Sequence, residues 1–392
     1  MKRIIFIGLL VLSLLIIGCD KETDEQTPKH SPAPIPEGIL ISEIPANADV
    51  IFSSIRYVLD DMACLDNDSR PKDKFIQSPD CNRLVYDSEG GLLASRQLFT
   101  MDIETGKAVQ ITNTDCFFVS GQVLDSTNIM ANAICIDTNS DGKINEQDDP
   151  NLYLLDLTTG KMDCLTCELV LRAINNPDYS PVNEKIVFSA QKESVFHNYL
   201  FTIDANKNLE QITFGEDYMD FDCAWSEDAT MIVFNRLPEP WLEKPSQIWL
   251  MNADGSNKQK MTDGGDNPNN EEPQRGYPIG TDADADISPD NTQIVFSRLK
   301  TGTENALFGI WELVVIDVAI KEETILDANY ANMIPEWKDS GILFVRQVGG
   351  TDPMKFQQGL YRFKDGEFEP LEEYPYNVFP IGGFGGSWIE MG

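Results

Sequence analysis

Short apolar runs separated by turn residues occupy most of the chain between residues 75 and 371, and residues 221–262 show the pattern in full. Trp225-Ser226 closes a first apolar segment, and Glu227-Asp228-Ala229 reads as a turn. Residues 231–235 form a β-branched and aromatic run, and residues 247–252 alternate around Trp249 before an Asp254-Gly255 turn. The unit is predicted to be four short strands.

The spacing recurs. A serine precedes a strand-two aromatic by eight residues in Ser78/Tyr86, Ser180/Phe188, Ser226/Phe234 and Ser288/Phe296. A strand-three aromatic precedes a closing threonine by twelve or thirteen residues in Phe99/Thr112, Tyr153/Thr166, Phe201/Thr213 and Trp249/Thr262. Independent strands would not keep both distances. A repeat of roughly 40 to 60 residues built from four strands predicts an all-β fold, a β-propeller, because one four-stranded sheet cannot bury its faces until neighbouring blades cover them. Six complete repeats fit between residues 75 and 371. The β-rich runs at 39–44 and 50–59, with the segment around Trp388, are left over to build a mixed seventh blade or to extend one of the six, since propellers close by pairing strands from both termini.

Ser-Pro-Asp at 78–80 and 288–290, the Asn-Ala-Asp-Gly hairpin at 252–255 and the terminal Met-Thr that follows resemble the repeats of TolB-type, WD-repeat-like β-propellers. The resemblance covers most of residues 75–371. The second repeat lacks the Ser-Pro-Asp turn, and the sixth, with Trp337-Lys338-Asp339-Ser340, is two residues shorter.

Connections between strands one and two and between three and four are tight turns. Those between two and three are long, at 136–151, 237–246, 299–307 and 348–358, as is the four-to-one connection at 263–281. In an antiparallel blade both long classes emerge at one end, which is where binding residues are expected.

The start of the chain adds a location. Met1-Lys2-Arg3, an apolar run over residues 4–17 and Gly18-Cys19 predict a secretory signal over residues 1–18. Ile16-Ile17-Gly18-Cys19 resembles a bacterial lipobox, which implies a diacylated Cys19 and a lipid anchor. Residues 19–37 are polar and rich in proline and are expected to be an extended tether, leaving residues 38–392 as a single propeller domain at the bacterial cell envelope, on its periplasmic or surface side. The formal net charge of −34 opposes nucleic acid and anionic headgroups, and leaves divalent cations and basic protein surfaces as partners.

Seven cysteines follow Cys19, an odd number that leaves at least one thiol unpaired if disulfides form. Cys164-Leu165-Thr166-Cys167 has the spacing of a redox or zinc half-site, but no second pair or nearby histidine completes it, which favours a structural pair or two reduced thiols.

Residues 137–148, Asp-Thr-Asn-Ser-Asp-Gly-Lys-Ile-Asn-Glu-Gln-Asp, match the twelve-residue EF-hand pattern. Asp137, Asn139 and Asp141 offer side-chain oxygens and Gly142 permits the sharp turn. Lys143 offers its carbonyl, Asn145 the ninth-position ligand and Asp148 the closing carboxylate, so the expected cofactor is calcium. Aspartate at the twelfth position, where glutamate is commonest, resembles dockerin loops. The alternative is an acidic turn without metal. Ile144 is expected to pack the loop onto the body. Flanking strands rather than helices favour a structural ion over a sensor switch.

Residues 282–286 read Asp-Ala-Asp-Ala-Asp, and in a regular strand the three carboxylates would share one face. Aligning repeats on the turn serine puts Asn176, Asp222 and Asp284 at one position, with Asp178 and Asp286 two residues further on. First strands line a propeller's channel, so these five side chains form a candidate channel-mouth site for a cation or a partner's basic side chain. A solvated acidic rim is the competing reading. Lys74 at the equivalent place in the first repeat opposes a metal.

Only His30 and His197 are present, which weighs against histidine triads and multi-histidine centres. There is no Gly-x-Ser-x-Gly elbow and no phosphate-binding glycine loop. The reading is therefore a non-enzymatic, calcium-stabilised module that binds an envelope protein or extracellular ligand. The alternatives are a carboxylate-dependent polysaccharide hydrolase or lyase and a ligand-capturing periplasmic sensor. Trp241 and Phe308 in the long loops suit sugar stacking or protein docking equally.

Overall fold

The recurring aromatics meet across strands. Phe188 lies opposite Phe201, Phe234 opposite Trp249 and Phe344 opposite Tyr361, while Phe296 faces Val314. All four strand-two phenylalanines are fully buried. The closing threonines are equally specific: the Oγ1 atoms of Thr112, Thr166, Thr213 and Thr262 accept the N–H groups of Leu98, Leu152, Leu200 and Ile248 at 2.9–3.0 Å. Each of those donors directly precedes the strand-three residue from which the spacing was counted, so a buried hydrogen bond enforces the interval. At the other turn, Ser226 and Ser288 accept the N–H groups of Met231 and Gln293, and their hydroxyls donate to Asp228 and Asp290. That fixes the serine-to-aromatic spacing.

The computed structural model describes residues 39, 41–55, 75–77, 83–85, 96–102, 107–142, 144, 147–192, 197–240, 243–265, 278–300, 309–348, 357–371 and 386–388. The expected signal, Cys19, the tether, Cys64, Cys81, Lys74, Lys143, Asn145, Trp241 and Phe308 lie outside these residues. So do Ser78 and Tyr86.

Among the described residues every regular element is a strand, and the strands form four-stranded antiparallel units in sequence. The second sheet is Phe117–Val123, Asn128–Ile134, Asn151–Asp156 and Lys161–Cys164. The third is Leu171–Ser180, Lys185–Lys192, Asn198–Asp204 and Leu209–Gln211. The fourth is Tyr218–Trp225, Met231–Pro238, Gln247–Asn252 and Gln259–Lys260. Asp282–Ile287, Gln293–Lys300, Ile310–Asp317 and Glu323–Asp327 make the fifth. Ala331–Lys338, Gly341–Val348, Gln357–Lys364 and Glu367–Pro370 make the sixth, joined to the fifth by one parallel pair, Trp311 with Ala331. In the fourth sheet the Asp254-Gly255 turn needs its glycine: φ is +79° and a Cβ would stand 2.5 Å from the Ile212 carbonyl oxygen.

The first sheet draws on both ends of the chain. Gly386–Trp388 pairs with Val50–Ile55, which pairs with Arg96–Asp102, which pairs with Lys107–Gln110. Of the leftover runs, Val50–Ile55 and Gly386–Trp388 therefore complete a sheet with the Phe99/Thr112 pair, while the run at 39–44 contributes only an isolated bridge between Ile39 and Thr112. The strand beside Arg96–Asp102 is Val50–Ile55, not the run before Tyr86 that the spacing suggested. Phe75–Gln77 and Arg83–Val85 instead pair with each other as a separate hairpin. A turn signal marks a hairpin, and only tertiary pairing decides which sheet receives it.

Neighbouring sheets pack face to face. Ile51, Leu98 and Ile111 meet Phe118, Ile129 and Ala131. Met130 and Leu152 meet Ile186 and Phe188, and Val187 and Leu200 meet Trp225 and Phe234. Val233 and Leu250 meet Ile287 and Phe296, and Val295 and Leu313 meet Ile342 and Phe344. First strands adjoin from the third sheet to the sixth, and Ala331–Lys338 then adjoins Gly386–Trp388, which adjoins Phe117–Val123. Face-packed four-stranded sheets with their first strands side by side are the arrangement of a β-propeller.

Candidate functional site

Register places the long connections beside the starts of the first strands. In the second sheet Ile134 pairs with Phe117 and Ala133 with Asn151, so the 137–148 loop leaves the end where the first strand begins. Asp149 carries that end to the next sheet: its carboxylate accepts the Arg172 Nε–H at 3.1 Å and the Ala173 N–H at 3.2 Å. The fifth sheet repeats the link, where the Asp282 N–H donates to the Ser246 carbonyl and Ser246 Oγ donates to the Asp282 carbonyl.

Within the loop, Asp137 accepts the N–H groups of Asp141 and Gly142 at 3.2 and 2.8 Å, and Asn139 Oδ1 accepts Asp141 N–H at 2.9 Å. Ser140 and Gly142 are left-handed, with φ of 62° and 86°. The curl turns the Asp137 and Asn139 oxygens onto the loop's own backbone N–H groups. Asp148 is buried, and its Oδ1 accepts the N–H groups of Thr138 and Asn139 at 2.8 and 3.2 Å. Among the described residues no three His, Cys, Asp or Glu side chains are grouped to hold a metal, and Asp137, Asp141 and Asp148 are no exception. Ile144 is exposed instead of packing the loop down.

The inner strands depart from simple alternation. Asn176, Asp222 and Asp284 all have left-handed backbones (φ 48°, 46° and 53°), each inside a register shift, and Ile334 (φ 53°) is their counterpart in the sixth sheet. The alignment of the three positions holds, and Asn and Asp tolerate this conformation better than most residues. The bulge separates the carboxylates of residues 282–286, which therefore do not share one face.

Their partners differ accordingly. Asp282 is fully buried and forms a two-bond pair with Arg298, at 2.6 and 3.0 Å, while Thr262 Oγ1 donates to it. Burial raises the Asp282 carboxyl to about 6 and alone would lower the Arg298 pKa, but bonds to Asp282 and Glu323 hold the guanidinium above its usual value, so the two-bond pair is charged at neutral pH. Asp178 and Asp286 clamp sheet to sheet, accepting the N–H groups of Trp225 at 2.7 Å and Trp337 at 2.6 Å. In the second sheet Gln122 accepts the Tyr179 N–H in the same way. Burial raises both clamp carboxyls, Asp286 to about 6, against the opposing charge of Lys338. The Asn176 carbonyl faces the buried thiol of Cys223 at 3.6 Å.

Asp222 and Asp284 stand together at the centre of the set. Asp222 accepts Asn235 Nδ2–H at 2.9 Å and the Asp284 N–H, and Asp284 accepts the Ile334 N–H. Asp222 Oδ1, Asp284 Oδ1 and Asn235 Oδ1 are buried without a hydrogen-bond partner among the described residues. Burial pushes the Asp222 carboxyl up to about 8 and Asp284 well above the carboxylate range, with the Asp222 charge adding to the latter shift. Burial thus favours the protonated form of both carboxyls.

Sequence reasoning missed a set of arginines. Arg236, Arg298 and Arg346 each follow a strand-two phenylalanine by two residues, a Phe-x-Arg repeat that could have flagged them. Arg236 grips Asp220 through two bonds of 2.7 and 2.8 Å and lies over Tyr218 and Trp249. Arg346 bonds Asp327 at 2.6 Å and lies over Phe368.

No family model matches the chain, and no curated protein matches it. Among solved structures, Kuenenia stuttgartiensis hydrazine synthase superposes with a TM-score of 0.54 at 14% identity, over 88% of this chain and 47% of that one. TolB from Acinetobacter baumannii gives 0.46 at 14% identity, over 83% of this chain and 67% of that one. An oligogalacturonate lyase in complex with manganese gives 0.47 at 15% identity, over 86% and 85%. Identities this low speak to fold alone.

Proposed function

We propose that the chain is an exported propeller of six blades, anchored through a lipidated Cys19, whose long-loop end binds a protein or ligand at the bacterial cell envelope. Calcium held by residues 137–148 braces that end. The observation that carries the reading is the Asp149 link, which ties the far side of the loop to Arg172 and Ala173 at the start of the next inner strand. An ion bound to Asp137, Asn139 and Asp141, with the Lys143 carbonyl, Asn145 and Asp148 completing the set, would fix the rim of two adjacent blades at once.

Thermal unfolding in chelator and in excess calcium tests the brace. Calcium is expected to raise the midpoint by several degrees, through stabilisation of about 2.7 kcal/mol at a hundredfold excess over Kd. Asp137→Ala should abolish the difference, and an unchanged midpoint in the unaltered protein would overturn the calcium reading.

A second reading, a carboxylate-dependent polysaccharide hydrolase or lyase, is favoured by one observation, the buried neighbouring carboxyls Asp222 and Asp284, linked through the Asp284 N–H and each with an oxygen that meets no partner among the described residues. Turnover of an acidic-polysaccharide panel that is lost in Asp222→Asn would establish it. Absence of turnover across the panel would leave the binding module standing.

A further inference from the structure

We propose that the Cys164–Cys167 disulfide is a thiol–disulfide exchange site, reduced by an external dithiol with Cys164 leaving as the thiolate, and that its state sets how firmly the 137–148 loop is held. The second clause rests on the calcium reading above; the exchange itself does not.

Two disulfides sit in the second sheet and differ in kind. Cys116–Cys135 bridges the strand ends beneath the loop and is sealed, with both cysteines buried. Cys164–Cys167 spans three residues at the end of the outermost strand, where both cysteines pack against the edge of the core but are only half-buried, unlike Cys116 and Cys135. Its closed ring is too short to constrain the unfolded chain much, because that stabilisation grows with loop length.

The threonine inside the ring makes a latch that other sheets make without a disulfide. Thr166 Oγ1 accepts the Leu152 N–H at 3.0 Å and donates to Asn151 Oδ1 at 2.8 Å. Thr112, Thr213 and Thr262 make the same backbone latch in their own sheets, and none of them lies within a Cys-x-x-Cys ring. In the second sheet the latch also holds Asn151, three residues past the last position of the loop. A reversible covalent ring around that one threonine makes the grip on the loop adjustable.

Geometry assigns the sulfurs. The Cys167 N–H points at Cys164 Sγ at 3.0 Å, whereas the Tyr153 hydroxyl stands further off, 3.6 Å from Cys167 Sγ; the shorter contact stabilises negative charge on Cys164, which makes it the better leaving group. The dithiol's thiolate attacks Cys167 Sγ, the S–S bond breaks and its electron pair goes to Cys164 Sγ. The second thiol of the reductant then displaces Cys167 Sγ and closes its own disulfide. Two electrons pass to the protein, the dithiol is oxidised, and the released thiolates take protons from water.

Graded dithiothreitol on the folded, oxidised chain, quenched with N-ethylmaleimide and mapped by peptide mass, tests the exchange. Cys164 and Cys167 are expected to be labelled while Cys116 and Cys135 stay bonded and circular dichroism is unchanged. Reduction of both bridges together, only as the protein unfolds, would overturn it. The pH dependence of alkylation separates the sulfurs: Cys164 in Cys167→Ser should ionise at lower pH than Cys167 in Cys164→Ser, and equal or reversed values refute the assignment. Calcium titrations of the oxidised and reduced forms should differ several-fold in Kd, weaker when reduced. Equal affinities refute the coupling, and no uptake by either form refutes the calcium reading together with the coupling, while the labelling result stands.

Discussion

Among the described residues, Asp222 and Asp284 are buried carboxyls without the basic neighbour that Asp282 has in Arg298 and Asp286 has in Lys338. Because their folded-state pKa values lie above the unfolded value of about 4, the folded chain binds the extra proton, and the stability this confers is complete below that pH. It is lost as pH rises through about 8, the value for Asp222. Asp222→Asn should therefore flatten the loss between pH 5 and pH 8 and raise the urea midpoint at pH 8, with little change at pH 5. A variant less stable than the unaltered protein at pH 8 would show that the carboxylate is satisfied in the ionised form. The aspartates were legible as an aligned set. Their different fates were not, because a single left-handed residue redirects each side chain and no spacing reveals it.

Clamps and latches belong to the scale of strands. Asp286 spans two sheets through the Trp337 N–H, and removing it leaves a partly buried donor unmet. Asp286→Ala is expected to cost about 1–3 kcal/mol in urea unfolding, whereas Asp290→Ala, at an exposed turn, should cost less. Equal costs would mean that the clamp adds nothing beyond an ordinary turn bond. The threonine spacing was readable because its cause is local, a hydroxyl returning to the neighbouring strand of its own sheet. The Phe-x-Arg repeat was present in the same strands, yet its meaning depends on acids such as Asp220, Asp282 and Asp327 that only sheet pairing places within reach.

Ring closure is a property of the whole molecule. Gly386–Trp388 pairs with Val50–Phe52 and adjoins the inner strands of the second and sixth sheets, so deleting residues 386–392 should expose the edge of Val50–Ile55. Lower thermal stability and higher-order species in size-exclusion chromatography are the expected outcome, and a monomer with an unchanged melt would mean that the terminal strand does not close the ring. The repeat, the four-strand unit, the loop-rich end and the alignment of the inner-strand acids were all determined by the sequence, since each is set by alternation and by hydrogen bonds that recur at fixed intervals. Tertiary structure alone decided that the first sheet takes strands from both termini, that Phe75–Gln77 and Arg83–Val85 pair apart from it, and that Asp282, Asp284 and Asp286 part ways. Those outcomes depend on contacts between segments far apart in the chain and on backbone bulges, neither of which leaves a period to read.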